Sequence, residues 1–364
     1  MKLIFLVHSL RKGGAERLLL ELATAEEIID AKITVISWLD KIDYDEKEYS
    51  QINYIPLIKE GEYNWPKSLF SSAIKLKKIL KVEKPDCVFL FSHTVMWLAV
   101  LAKIKTKYVN LIMGNSQLSK GRGLKRFIYQ PIDIIVSKIL DLEIVAPTLQ
   151  LGKSSSRYFL KPKRHINIIP NGIKISETLN KQAKNKRFTI SMLGTLSFHK
   201  GQHLAIQGLK IILKKNPNVC LKIIGDGTIK RSLIDQVKEY GIEEENINIM
   251  GRRKDAFEIL SSSDLFWHLS MSEGMPLAII EAMACGLPIL GFNVNGVNEL
   301  VVDGKNGYLI EYGDLENLAN KTLELISENN LRETMSNRSK NDFNEKYTKK
   351  KMVMSYKEFL DNLI

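Results

Sequence analysis

The chain has 364 residues, 45% hydrophobic and 26% charged, with a formal net charge of +12. That length can bury two cores, and the composition excludes a disordered or fibrous chain. Three scattered cysteines, Cys87, Cys220 and Cys285, exclude a disulfide framework and fit small thiols in a reducing, cytosolic compartment.

The opening MKLIFLVHSL reads as a strand, Lys2–Val7, rather than a signal peptide, because a Gly-Gly turn follows at once. A helix is expected from about Ala15 to Ile29 and a second strand over Ile33–Trp38. Ser68–Val82 has helical spacing, and Asp86–Phe91 reads as a buried strand. The apolar run Cys87 to Ala102 is too short and too interrupted to cross a bilayer, which takes about 20 apolar residues. Tyr108–Met113, Glu143–Pro147 and Ile166–Ile169 read as further strands. Lys174 to Lys186 is polar and reads as a linker. A second alternating set follows, with strands at Phe188–Leu193, Val219–Ile224, Ile247–Met250, Leu265–Leu269, Pro288–Phe292 and Tyr308–Ile310. Helices are expected over His203–Lys214 and Lys230–Tyr240, and a last one from about Lys350 to Leu363. Alternating strands and helices predict an α/β fold, two doubly wound parallel sheets with ligands bound at strand ends.

The most informative stretch is EGMPLAIIEAMACGLPIL, residues 273–290. Pro276 suits a helix start, and Gly286 and Pro288 mark its end. Glu273 therefore precedes a helix that carries Glu281. The N–H groups near Gly274, Met275 and Leu277 belong to a helix N-terminus, which attracts anions and phosphate above all. Carboxylates beside a phosphate cradle describe a nucleotide-sugar site. The plainer reading is a pair of ordinary glutamates on a surface helix. Gly13 and Gly14, after the first strand, allow close backbone approach to a ligand, although such a turn is often only a turn. They lack the spacing of a dinucleotide fingerprint. Lys200, after the first strand of the second set, is a candidate to neutralise a diphosphate; a solvated loop lysine is the alternative. Gly225 and Arg252 follow two further strands, and Arg252 or Arg253 could pack on a base. His93, after the buried strand, is either an acceptor contact or a packing residue. Asp43 and Asp45 lie in a charged loop without a flanking site, so no metal ligand set is read.

The 273–290 string resembles the signature of retaining GT-B glycosyltransferases, the family-four or "group 1" transferases: Glu, seven residues, Glu, then a small-residue helix and Gly-x-Pro. Gly13-Gly14-Ala15-Glu16, the Lys200-Gly201 pair and Ile169-Pro170-Asn171-Gly172 are similar to the same family. The resemblance implies two Rossmann-like domains, an acceptor domain over 1–173 and a nucleotide-sugar domain over 187–345. A C-terminal helix, about 346–364, would pack back on the first. It implies that Glu281 holds ribose hydroxyls, Glu273 sugar hydroxyls and Lys200 the diphosphate. Gly13 and Gly14 would close over the phosphates, and Gly225 and Arg252 would line the nucleoside. Gly274, Met275, Pro276 and Leu277 would form the phosphate loop. Domain closure would then exclude water. Two positions depart from the family: Thr195 stands at a usual arginine, and Met113 at a usual histidine that meets the sugar 6-hydroxyl. Either Asn115 or His93 takes over that role, or Met113 faces a 6-deoxy sugar.

The resemblance implies a metal-independent retaining hexosyltransferase without a cofactor. Its donor would be a UDP- or GDP-linked sugar and its acceptor a glycan or lipid-linked glycan. Basic amphipathic stretches at Lys67–Leu80 and around Lys125 fit an anionic membrane surface on the cytoplasmic side. Aromatics do not interleave with the basic clusters, so no nucleic-acid partner is expected. A nucleotide-sugar epimerase and a catalytically silent partner subunit are the alternative readings.

Overall fold

The computed structural model describes the chain except residues 12, 26–28, 46–48, 63, 65, 66, 115–123 and 176–186, and the side chains of 60 and 124–128. The chain divides into two compact units, Met1–Gly172 with Lys349–Ile364, and Ile173–Thr348. Most of the expected linker lies outside the described residues.

The first unit contains β1 (Lys2–Val7), α1 (Gly14–Ala23), β2 (Lys32–Asp40), β3 (Asn53–Lys59), α2 (Lys67–Glu83), β4 (Cys87–Leu90), α3 (His93–Leu101), β5 (Lys107–Leu111), α4 (Leu124–Ile139), β6 (Glu143–Ala146), α5 (Leu149–Phe159) and β7 (Ile166–Ile168). Its strands form one parallel sheet in the order β3-β2-β1-β4-β5-β6-β7. Alternation along β1 feeds two cores at once. Ile4 and Leu6 pack with α2 to α5, while Leu3, Phe5 and Val7 pack with α1. Strands buried on both faces read as unbroken apolar runs, which is why β1 and β4 are legible.

The run 87–102 divides at Phe91–Ser92 into β4 and α3. Ser92 is extended, with φ −158° and ψ 157°, and caps a helix that is apolar nearly all round. Such a helix needs cover on several sides, and α3 has it between α2 and α4. Strand β3 escapes the sequence reading because only Leu57 and Ile58 of its residues are buried, as befits the sheet edge. The last helix, α12 (Lys349–Leu363), places Met352, Val353, Tyr356 and Leu360 in the α1-side core. Lys349 Nζ also lies 2.8 Å from Glu21 Oε2.

The second unit contains β8 (Phe188–Leu193), α6 (Gln202–Leu213), β9 (Val219–Ile224), α7 (Lys230–Glu239), β10 (Ile247–Gly251), α8 (Ala256–Ser261), β11 (Leu265–His268), α9 (Leu277–Ala284), β12 (Ile289–Phe292), β13 (Gly307–Ile310), α10 (Leu315–Ser327) and α11 (Asn329–Lys346). The sheet order is β10-β9-β8-β11-β12-β13, again parallel. Leu265 and Trp267 of β11 enter the core beneath α6 and α10, while Phe266 enters the core beneath α9. In both units the order reverses beside the first strand, between β1 and β4 and between β8 and β11. Loops leave those two strands in opposite directions, opening a crevice at their carboxyl ends.

Candidate active site

The loops after β8 and β11 meet at the switch point of the second unit. Lys200 ends a short 3-10 turn after β8, and Gly201 follows with φ +74°. A Cβ on Gly201 would sit 2.1 Å from the Leu269 carbonyl oxygen. Glycine is thus required both by conformation and by space. The close approach is stitched by Met271 N–H donating to His199 O at 2.9 Å, and His199 Nε2 lies 2.9 Å from Ser272 O. This seam brings two charged side chains together: Lys200 Nζ lies 2.5 Å from Glu273 Oε1. His268, the last residue of β11, places Nε2 3.0 Å from the same oxygen.

Glu273 is 12% exposed and Lys200 30% exposed. Burial alone would raise the Glu273 pKa, but His268 and Lys200 hold it well below the usual carboxylate range. The carboxylate is therefore kept ionised and oriented. Around it the other loops are tightly joined. Gly225, at φ +143°, would place a Cβ 1.9 Å from the Gly194 carbonyl oxygen. Gly296, at φ +82°, would place one 2.5 Å from the Gly274 carbonyl oxygen, and Glu273 N–H donates to Asn295 O at 3.2 Å.

The helix expected after Glu273 is α9. Pro276 is its N-cap, and Gly286 adopts φ +70° just past its end. Glu281 is on this helix and only 6% exposed. Burial and then the Glu281 and Glu258 charges push the Cys285 thiol up to about 12, so it is no nucleophile at neutral pH. Gly274, Met275 and Pro276 are buried and Leu277 half-buried, so the helix start is packed rather than open. Thr195 is exposed, and its carbonyl accepts from Gln202 Nε2. Arg252 is exposed, while Arg253 pairs with Asp255 through two contacts of 2.8 and 2.6 Å.

In the first unit, Gly13 is extended (φ −159°) and caps α1, which begins at Gly14. An added Cβ at Gly13 would meet Glu16 Oε2 at 2.5 Å. Burial raises the pKa of that glutamate. His93 does not present itself to a ligand. It is 6% exposed at the start of α3, with Nε2 2.7 Å from Oδ2 of the fully buried Asp133, though not aligned as a hydrogen bond. Asp133 also accepts from Trp97 Nε1 at 3.1 Å and Tyr158 OH at 2.6 Å. His93 is thus part of a buried polar knot, the packing role open to a histidine after a strand. Met113 is half-buried against the α1-side core. Asn115 lies outside the described residues. The sequence reading missed His8, whose Nδ1 lies 3.4 Å from Thr94 Oγ1 at the β1/β4 switch point. It also missed His268, a histidine closing a buried strand five residues before Glu273. Asp43 and Asp45 are exposed after β2. Among the described residues no cluster of three or more His, Cys, Asp or Glu could hold a metal ion.

Residues 14–138 match the family described as "Glycosyl transferase 4-like", and residues 175–342 match "Glycosyl transferases group 1". An uncharacterised glycosyltransferase of Haemophilus influenzae is 27% identical over 98% of both chains. An Escherichia coli UDP-Gal:α-D-GlcNAc-diphosphoundecaprenol α-1,3-galactosyltransferase is 29% identical over 71% of this chain and 73% of its own. The structure of Anabaena HepE in complex with UDP and glucose superposes over the full length of both chains, with a TM-score of 0.80 at 20% identity. S. aureus TarM matches over 99% of both, with a TM-score of 0.82 at 15% identity. With two parallel Rossmann-like units, the Glu273–Lys200 pair at a switch point and both family segments in order, the chain belongs to the group 1 glycosyltransferases of GT-B fold.

Proposed function

We propose that this protein is a retaining hexosyltransferase that moves a sugar from a nucleotide diphosphate donor to a hydroxyl of a lipid-linked or surface glycan. The observation that carries this reading is the largely enclosed Glu273 carboxylate held against Lys200 at the β8/β11 switch point. A carboxylate fixed in this way accepts hydrogen bonds from sugar hydroxyls. A lysine beside it offers positive charge to the diphosphate as the glycosidic bond breaks. Glu281 takes the ribose hydroxyls, and Gly225 and Arg252 line the nucleoside. The first unit, with Gly13 and Gly14, serves the phosphates and the acceptor, and Met113 bears on the sugar's 6-position. In the reaction the bond from the anomeric carbon to the phosphate oxygen breaks and one to the acceptor oxygen forms on the same face. The acceptor proton passes to the departing phosphate, so no separate base and no metal is needed. Relatives named as α-galactosyl and α-N-acetylgalactosaminyl transferases of diphosphoundecaprenol-linked glycans support the acceptor class. Forming α linkages from α-linked nucleotide sugars requires retention.

An anionic lipid surface fits the outer face of the first unit. Helix α2 exposes Phe70, Ile74 and Val82 among Lys67, Lys77, Lys78 and Lys81, and α4 exposes Ile132, Ile135 and Ile139. Basic heads with apolar stems and neighbours suit an interface rather than a span. No described helix is long and apolar enough to cross a membrane.

The direct test is release of nucleoside diphosphate from UDP- and GDP-sugars with polyprenyl-diphosphate-linked glycan acceptors, with and without EDTA. Acceptor-dependent release, unchanged by EDTA and yielding an α-linked product, is the expected result. Donor interconversion without release would instead identify an epimerase, and inertness towards all donors a silent subunit.

A further inference from the structure

We propose that His268 is a positioning residue for Glu273, fixing the carboxylate that the transferase reading assigns to the sugar; the inference rests on that reading. Alternation along β11 turns Leu265 and Trp267 to one core and Phe266 and His268 to the α9 side. His268 is 4% exposed, so it has little surface to offer a ligand of its own. The Phe266 ring lies nearly parallel to the imidazole, at 24° with centroids 6.3 Å apart. From this fixed seat Nε2 reaches Glu273 Oε1 at 3.0 Å, five residues downstream across the loop. Donation to a carboxylate requires the proton on Nε2.

Lys200 and His268, which both reach Oε1, differ in a way that matters for turnover. Lys200 sits on a flexible stem and is 30% exposed. A diphosphate draws its ammonium away from Glu273. His268 is rigid, buried and cannot follow the ligand. It is a contact that still holds Glu273 when Lys200 is shared with phosphate, and so helps keep the sugar-binding carboxylate oriented through the reaction.

The test is a double-mutant cycle on the full-length protein with its active donor. His268→Leu removes the N–H and is expected to lower kcat/KM by about 10- to 100-fold, the effect of one hydrogen bond to a charged group. Bare nucleoside diphosphate should bind this variant as it binds wild type, because it lacks the sugar. In a Glu273→Gln background, His268→Leu should add little further loss. His268→Gln, whose amide nitrogen reaches the place of Nε2, should recover most activity, whereas His268→Asn, which reaches only the place of Nδ1, should not. The Gln/Asn pair carries the test even if His268→Leu fails to fold, since both are polar and comparably disruptive. Equal activity of the Gln and Asn variants, full activity of His268→Leu, or an undiminished loss in the Glu273→Gln background would each overturn the assignment. An inert wild type would overturn the transferase reading along with it; an active wild type indifferent to His268 would overturn this inference alone.

Discussion

At the scale of single residues, Glu273 combines a largely enclosed site with close contacts to Lys200 and His268, and its ionisation links folding to pH. Its folded pKa lies below the ordinary value of 4.5. The stabilisation is therefore fully present above about pH 4.5 and is lost as pH falls towards the folded value. Glu273→Gln should lower Tm relative to wild type near neutrality, and the gap should narrow in acid; a gap that widens below about pH 4.5 contradicts this sign. The same variant releases Lys200, so nucleoside diphosphate should bind at least as tightly while turnover falls by a factor on the order of 100. Calorimetry beside a product assay separates the two effects. Asp133 makes a different kind of prediction. It is fully buried and accepts from Trp97 and Tyr158. Asp133→Ala leaves those donors unsatisfied and should cost on the order of 3 kcal/mol in chemical denaturation. His93→Asn should disturb stability through the same knot, and donor affinity should be unchanged.

At the scale of elements, the site depends on how closely two loops approach. Gly201 lies at φ +74° against the Leu269 carbonyl. Gly201→Ala should destabilise the protein by at least about 1–2 kcal/mol from the left-handed backbone alone. It should also part the β8 and β11 loops, separating Lys200 from Glu273 and lowering kcat; an alanine variant with wild-type Tm and turnover would show the seam to be unimportant. The sequence shows Lys200, Gly201, Glu273 and Glu281 as a family pattern and places the helix after Glu273 from Pro276 and Gly286. It does not show that Lys200 and Glu273, 73 positions apart, share one oxygen contact. That follows from parallel β8 and β11 being neighbours, which is a matter of strand order. Helix α3 shows the reverse difficulty. Its residues are apolar with no polar face, so periodicity cannot separate it from the preceding strand; only Ser92 marks the boundary, and packing between α2 and α4 makes the helix.

For the whole molecule, the strongest expectation concerns ligands. A nucleoside diphosphate at about 100 times its dissociation constant should add roughly 2.7 kcal/mol to stability. A thermal-shift panel of UDP, GDP, CDP, ADP and dTDP on wild type and Glu281→Ala should show one base that stabilises wild type and loses its effect in the variant. Vesicle sedimentation tests the charged face. Each near-surface lysine contributes about 1 kcal/mol, so a triple Lys77→Glu, Lys78→Glu, Lys81→Glu variant should lose binding to anionic vesicles and keep donor hydrolysis. Equal sedimentation of both proteins would remove the lipid surface from the reading.

What the sequence by itself determined is local: apolar runs that must be double-buried strands, amphipathic helices between them, the helix start and stop around Glu281, and a pattern of glycines and acids specific enough to indicate the family. These features depend on neighbours a few positions apart, where backbone and side-chain chemistry is written directly in the chain. Only the tertiary structure decided which distant groups meet. It brought His268 and Lys200 to one carboxylate oxygen, turned His93 away into the Asp133 knot, and placed His8 beside Thr94. Those outcomes rest on strand order and on which face of a sheet a residue meets, set by the burial of two cores at once and not by any short span of sequence.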